Sequence, residues 1–368
     1  TPASRLGLRA GDIIHQIEGE PTEAMNLDEA VRQLKGPKGT QVNITVIRRG
    51  LDDPLELAIT RDEIPQNSVR YAYMVTPTTG YIAISDFNRG TGREVAEALE
   101  QLRGEGMEQI LLDLRGNGGG LLDQAIEVAD LFLPGGSKIV ETRGRTRDSF
   151  QEYHATDEDP DLDMPVVVLV SAGTASAAEI VSGAIQDHDF GLIAGAPTWG
   201  KGLVQTVYSL SYEAGLALTT AKYYTPSGRL IQRDYSSWFD YATHSNGQVP
   251  PEGSEDEPID PQQIFLTDLG RKVYGGGGIA PDFPLPDREM APFVQYLLSR
   301  AAFFDFAVDY ERDHPPVDRD WVPPATMLDD FSAWLLEREL VESEEKLAEG
   351  LAEEESRDLV RRYIHAEI

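Results

Sequence analysis

The 368-residue chain contains no cysteine. Disulfides, cysteine nucleophiles and cysteine-ligated zinc are therefore excluded, while an oxidising compartment is neither required nor forbidden. Long apolar runs are missing too: the longest, Val166–Val170, falls far short of the roughly 18 residues that a membrane span needs. Positive charge is scarce. Lys and Arg total 32 against 63 Asp and Glu, a net charge of −31, which argues against nucleic acid or an anionic membrane as a partner of any broad basic surface. Lysine is rarer still, at seven residues, and an acidic, lysine-poor surface hints at a salty habitat. The six histidines lie singly, in no triad-like or H-x-x-x-H setting. What remains is 40% hydrophobic with 34 Gly and 23 Pro, the composition of a soluble globular protein with two or three domains. The chain opens at Thr1 without Met or an export signal and reads as a fragment or processed form.

Three regions follow from the patterning. Residues 1–63 hold a strand at Ile13–Ile17 after a Gly-rich turn. A helix follows whose one face carries Leu27, Ala30, Val31 and Leu34, then strands in GTQVNITVIRRG and LELAITRDEI. The Asn43-Ile44-Thr45 glycosylation match falls inside a strand and is discounted. Residues 64–285 alternate strands and helices, as an α/β domain does. The strands are 81–87, 109–114, 166–170 and 192–194, and helices carry Val95–Leu102, Ala125–Leu131 and Ala175–Ile185. A hairpin, 203–212 with 215–223, comes next, and an acidic, Pro-rich loop spans 245–263. Residues 286–368 read as helical throughout.

Residues 195–202, GAPTWGKG, nearly spell a phosphate-binding loop, but Gly202 stands where the pattern needs Ser or Thr. That hydroxyl holds the magnesium ion. A helix should also follow, whereas Val204, Thr206, Tyr208 and Leu210 alternate as in a strand. No nucleotide site is expected, and Lys201 needs another explanation. Upstream, VVVLVSAGTASAAEIVSGAIQD runs a buried strand through a turn into a helix of small residues, with Ser176 at the helix start. Ser176 and Glu179 fit a capping box. The same geometry exposes a hydroxyl to the helix N-terminus, where negative charge is favoured. Such a serine needs a base. His188 lies 12 residues on, about 18 Å along a helix axis, and cannot reach. A lysine whose ammonium form is disfavoured by an apolar site can serve, and Trp199, Ala194 and Leu203 offer Lys201 apolar neighbours.

Gly173-Thr174-Ala175-Ser176-Ala177-Ala178-Glu179, then Gly200-Lys201-Gly202 and Gln205, resemble the carboxyl-terminal processing proteases (tail-specific proteases, peptidase family S41). Asp113-Leu114-Arg115-Gly116-Asn117-Gly118-Gly119-Gly120 resembles that family's D-L-R-x-N-x-G-G loop, Tyr223–Arg229 its post-catalytic strand and turn, and Gly277–Asp282 its G-G-I-x-P-D segment. Gly7–Ile14, the helix at 27–35 and Gly39-Thr40 resemble a PDZ domain, whose carboxylate-binding loop and first strands would precede Thr1. The resemblance implies a crotonase/ClpP-like α/β core with an incomplete PDZ-like unit and a helical tail. It implies Ser176 as nucleophile, Lys201 as general base, Gln205 as the residue orienting Lys201, and the N–H groups of Gly120 and Ala177 as the oxyanion hole. Ala178 stands where many relatives have Ser. The implied activity is serine endopeptidase cleavage of proteins presented by their C-terminal tails, in the bacterial envelope or periplasm, with homo-oligomers open. No metal or organic cofactor is implied. Asp187-His188-Asp189 reads as a polar turn rather than a metal site. The alternative is a catalytically silent PDZ scaffold or holdase. A third class, a CoA-dependent hydratase on the same core, would show itself by tight CoA binding.

Overall fold

The structure is a computed structural model that describes residues 1–51, 53–156, 164–211, 214–233, 263–285, 290–314 and 321–368. The chain divides into two compact units, Thr1–Pro65 with Arg288–Ile368, and Gln66–Asp287.

In the first unit a short helix α1 (Pro2–Arg5) precedes strands β1 (Ile13–Ile17) and β2 (Glu20–Pro21), helix α2 (Leu27–Leu34), and strands β3 (Gln41–Ile47) and β4 (Leu55–Thr60). The strands form one antiparallel sheet in the order β2-β1-β3-β4. Alternation along β3 places Val42, Ile44 and Val46 inside with Ile17. Asn26 caps α2 by accepting the Glu29 N–H at 2.9 Å, the short polar residue that this position favours. Asn43 lies within β3, as its sequence context implies.

The second unit is built on a six-stranded sheet. Its elements are β5 (Val69–Thr76), β6 (Thr79–Ile84), α3 (Thr91–Gly104), β7 (Gln109–Asp113), α4 (Leu122–Asp130), β8 (Lys138–Gly144), β9 (Gln151–His154), β10 (Val166–Val170), α5 (Ala177–Asp187), β11 (Gly191–Gly195), β12 (Leu203–Ser209), β13 (Gly215–Tyr224), β14 (Ile264–Leu266), β15 (Lys272–Tyr274) and β16 (Phe283–Pro284). The sheet order is β16-β11-β10-β7-β6-β5, parallel except for the β5–β6 hairpin. One face carries Ile82, Ile110, Leu112, Val166, Val168, Val170 and Ile193, all buried in a single core with α3, α4 and α5. Burying each such side chain contributes about 1.5–3 kcal/mol. Helix α5 is buried along its whole length, which explains its small residues: Ala177, Ala178, Gly183 and Ala184 let it lie close to its neighbours. A second sheet, β12-β13-β8-β9, is antiparallel. Strands β5, β8, β9 and β14–β16 lack a strong alternating signal and were not legible in the sequence. Except for Gln263, the acidic segment 245–263 lies outside the described residues.

The C-terminal part of the first unit comprises helices α6 (Pro292–Ser299), α7 (Ala302–Asp313), α8 (Met327–Glu337), α9 (Glu344–Gly350) and α10 (Glu354–Glu367). Their core is aromatic-rich. Phe306 meets Phe331 and Trp334 edge-on, and Phe303 stacks on Phe331 and Tyr363.

Candidate active site

Two loops that leave neighbouring parallel strands, β7 and β10, are stitched together. The Thr174 hydroxyl donates to the Leu114 carbonyl at 2.7 Å, and the Ala175 N–H donates to the Asn117 carbonyl at 2.9 Å. Asn117 is wholly buried. Its amide donates to the Ile84 carbonyl at 2.8 Å, and its Oδ1 accepts the Gly119 N–H at 2.8 Å. This lattice carries the chain into α5 with Ser176 at the N-cap, at φ 58 and ψ −117. A non-glycine residue at that combination lies outside the left-handed helical well and costs on the order of 1–3 kcal/mol. The surrounding bonds over-determine it. Its N–H donates to Glu179 Oε2 at 2.8 Å, and its carbonyl accepts the N–H groups of Glu179 and Ile180 at 2.9 and 3.1 Å.

Gly119 packs directly against this turn. A Cβ there would lie 2.7 Å from Ser176 Cβ and 2.9 Å from the Ala177 nitrogen, and φ is +94. Gly120 is equally constrained, because a Cβ would meet the Phe87 carbonyl at 2.2 Å. Phe87 pairs with the loop as an isolated parallel bridge: its N–H donates to Gly119 and its carbonyl accepts from Leu121. In a parallel bridge both bonds go to the flanking residues, so the Gly120 N–H faces away from Phe87. Among the described residues neither the Gly120 nor the Ala177 N–H donates to a main-chain carbonyl.

Glu179 is the hub. It is completely buried, yet its carboxyl group accepts four hydrogen bonds. Oε1 accepts from the Thr198 hydroxyl at 2.5 Å and the Gly200 N–H at 2.8 Å, and Oε2 from the N–H groups of Ser176 and Lys201 at 2.8 and 2.9 Å. Burial pushes its pKa up, and the four donors pull against that. One oxygen therefore fastens the main chains of both Ser176 and Lys201. Tyr223, also buried, donates its hydroxyl to the Lys201 carbonyl and lies against Ser176, and burial pushes that hydroxyl well above the usual tyrosine range.

The structure thus brings together Ser176, Ala177 and the 118–120 loop, and anchors the main chain of Lys201 beside them. Among the described residues no hydrogen bond joins the side chains of Lys201 and Gln205. Both are exposed, and among the described residues neither the Lys201 ammonium nor the Gln205 amide has a hydrogen bond or ion pair. The apolar enclosure expected of Lys201 is not formed. Its main chain is held by Glu179 and Tyr223, and its side chain extends to solvent. Gln205 sits at a bulge in β12, where the register shifts between Val204 and Gln205; a bulge re-aims side chains. The Asp187-His188-Asp189 turn is fully engaged. Asp187 pairs with buried Arg229 at 2.7 Å, His188 with Asp268 at 2.7 Å, and Asp189 with Arg271 at 2.5 Å. Among the described residues no cluster could hold a metal ion. Beside the site Asp113 takes a bidentate grip from Arg115, with bonds of 2.6 and 3.0 Å among its contacts, and accepts the Tyr81 hydroxyl at 2.6 Å. Burial and the carboxylate push Tyr81 up to about 12.

Sequence reasoning missed Glu179 as more than a cap, and it missed Thr198 and Tyr223. The one available signal was Glu179 itself, an acid in an otherwise small and apolar buried helix.

Residues 78–235 match the model of peptidase family S41, and residues 1–48 match that of a PDZ domain. The chain carries a peptidase family S41 domain. It is 42% identical over 236 residues to the carboxy-terminal-processing protease of Bartonella bacilliformis, covering 63% of this chain and 54% of that one. With the carboxyl-terminal-processing protease of Synechocystis the identity is 41% over 236 residues, covering 63% and 55%. The chain therefore spans about half the length of these curated relatives. Among solved structures, the photosystem II D1 C-terminal processing protease aligns at 29% identity and TM-score 0.44, covering 79% of this chain and 67% of that one. No helix among the described residues is long and apolar enough to cross a membrane.

Proposed function

We propose that this S41 domain is the catalytic part of a serine endopeptidase that works by a Ser–Lys mechanism. Ser176 Oγ attacks the scissile carbonyl. The Lys201 amine takes the hydroxyl proton, then gives it to the leaving amine, and water releases the acyl-enzyme. Gln205 orients Lys201, and the Gly120 and Ala177 N–H groups receive the developing oxyanion. The observation that carries this reading is the strained main chain of Ser176 at the N-terminus of a buried helix, since a plain helix cap needs no such strain. The shared Glu179 oxygen supports Lys201 as the partner, because it ties the two main chains to one point. On this reading substrates are proteins presented by their C-terminal tails and captured by the PDZ-like unit. The protein acts in the bacterial envelope or periplasm, and homo-oligomers are open.

One observation favours a second reading. The Lys201 side chain is exposed and unbonded, as in a PDZ-bearing scaffold or holdase with no turnover. Time-resolved mass spectrometry of an unfolded test protein separates the two. Fragments from the native chain, and none from Ser176→Ala or Lys201→Ala of unchanged melting temperature, establish the dyad. Full activity of Lys201→Ala removes it, and no Ser176-dependent fragments from a chain extended at its N-terminus favour the scaffold.

A further inference from the structure

The hairpin β12–β13 begins two residues after Lys201. Among the described residues, β13 pairs with β8 only from Ala221 to Tyr224, and β12 is the terminal strand of its sheet. From Gln205 to Ser209 and from Gly215 to Thr219 the hairpin is thus a two-stranded ribbon, and every one of these residues is exposed. Such a ribbon is marginal in water on its own. Its side chains are not those of a solvated ribbon. The register pairs Tyr208 with Leu216 and Thr206 with Leu218, which puts Tyr208, Leu216 and Leu218 on one face at 46, 46 and 51% exposure. Val207, on the other face, is 70% exposed. In a chain of net charge −31, β12 and β13 contain no Asp or Glu, and Lys222 is their one charged residue.

We infer that this ribbon is a docking rail for the substrate polypeptide, and that its occupant is an extended, uncharged, apolar segment that adds as a further strand along the outer edge of β12. The inference rests on the protease reading above, whose site it extends. An unpaired strand edge supplies main-chain hydrogen bonds, and the apolar face supplies side-chain contacts. Three observations select a substrate segment rather than a second copy of this chain. The rail is continuous with the candidate site through Lys201 and Gln205. Two chains of charge −31 repel one another. The absence of carboxylates from the strands leaves no charge to repel a substrate, while the acidic remainder of the chain disfavours acidic ones.

The test uses the full chain as Ser176→Ala, so that binding is read without turnover and judged separately from the protease reading. A fluorescent unstructured peptide rich in Val, Ile and Tyr is titrated by anisotropy. A second peptide has Asp at alternate positions, and a third set is N-methylated at single backbone nitrogens. The apolar peptide is expected to bind at least tenfold more tightly than the acidic one. N-methylation is expected to weaken binding about tenfold at alternate residues only, the signature of one strand edge. Tyr208→Ser with Leu216→Ser and Leu218→Ser is expected to raise Kd about tenfold with an unchanged melting temperature. The N-methyl series needs no protein variant, so it decides the matter even where the triple variant fails to fold. Uniform tolerance of N-methylation overturns the inference. So does a folded triple variant that binds normally, or one whose only change is loss of self-association in sedimentation. Peptide binding that obeys these rules, together with no Ser176-dependent cleavage by the native chain, keeps the rail and discards the protease.

Discussion

At the scale of single residues, the informative group is Glu179. An acid inside a fully buried helix costs several kcal/mol unless its oxygens are satisfied, and here four donors satisfy them. Replacing it by Gln would turn an amide NH2 toward two of those donors, and each buried donor left unpaired costs about 1–3 kcal/mol. Glu179→Gln is therefore expected to lower the melting temperature by several degrees and to cut kcat/KM by roughly a hundredfold or more, because the main chains of Ser176 and Lys201 both lose their anchor. Steady-state kinetics beside a thermal melt checks this. Activity unchanged within twofold would leave Glu179 a structural residue only.

At the scale of elements, α5 links the site to the rest of its unit. Its N-terminus carries Ser176, and its C-terminus carries Gln186 and Asp187, which grip Arg229 of the 225–229 turn at 2.7 Å each. The Arg229 and Asp187 side chains are both fully buried. Removing one partner of a buried pair costs about 3–5 kcal/mol, whereas replacing both by apolar residues is often neutral. Asp187→Asn should accordingly destabilise by about that amount in urea denaturation, and Asp187→Leu with Arg229→Met should recover most of it. Equal losses in the single and double variants would mean that packing, not charge, matters there.

At the scale of the whole molecule, electrostatics sets the response to solution conditions. Several carboxylates lie below their ordinary pKa in the folded state. Arg48 holds Asp12 down and Arg143 holds Glu141 down, while in Asp113 burial pushes up but Arg115 and Tyr81 outweigh it. A depressed folded pKa gives stability that is present above the unfolded value, about 4, and lost as pH falls through the folded one. The melting temperature should therefore drop steeply below about pH 4, and the drop should be shallower in Asp113→Asn. A separate term is the net charge of −31. Salt shortens the screening length from about 10 Å at 0.1 M to about 3 Å at 1 M, so self-repulsion falls and the melting temperature near neutral pH should rise with NaCl. A flat salt response would show that the charge is already dispersed.

Much of the α/β core was legible because its signals are local. Val166–Val170 is an unbroken β-branched and aliphatic run, and its strand has those bounds. Helix α3 follows the spacing of Val95, Ala98, Leu99 and Leu102, all buried. Strands β8 and β9 were not legible: they hold a charged pair network, Lys138, Glu141, Arg143 and Glu152, in place of clean alternation, and pairing with β13 completes their sheet. For the site, the sequence determined the chemistry on offer: a serine at a helix start, a lysine between glycines, a glycine-rich loop, and no cysteine to replace them. These follow from residue identity and short spacing alone. Only the tertiary structure decided the strained φ of Ser176, the four-donor seat of Glu179, the contact of Tyr223 with Ser176, the exposure of Lys201 and the bare ribbon beyond it. Each depends on groups brought together from strands and loops far apart in the chain, and hydrogen-bond satisfaction and burial are properties of that assembly, which no local pattern encodes.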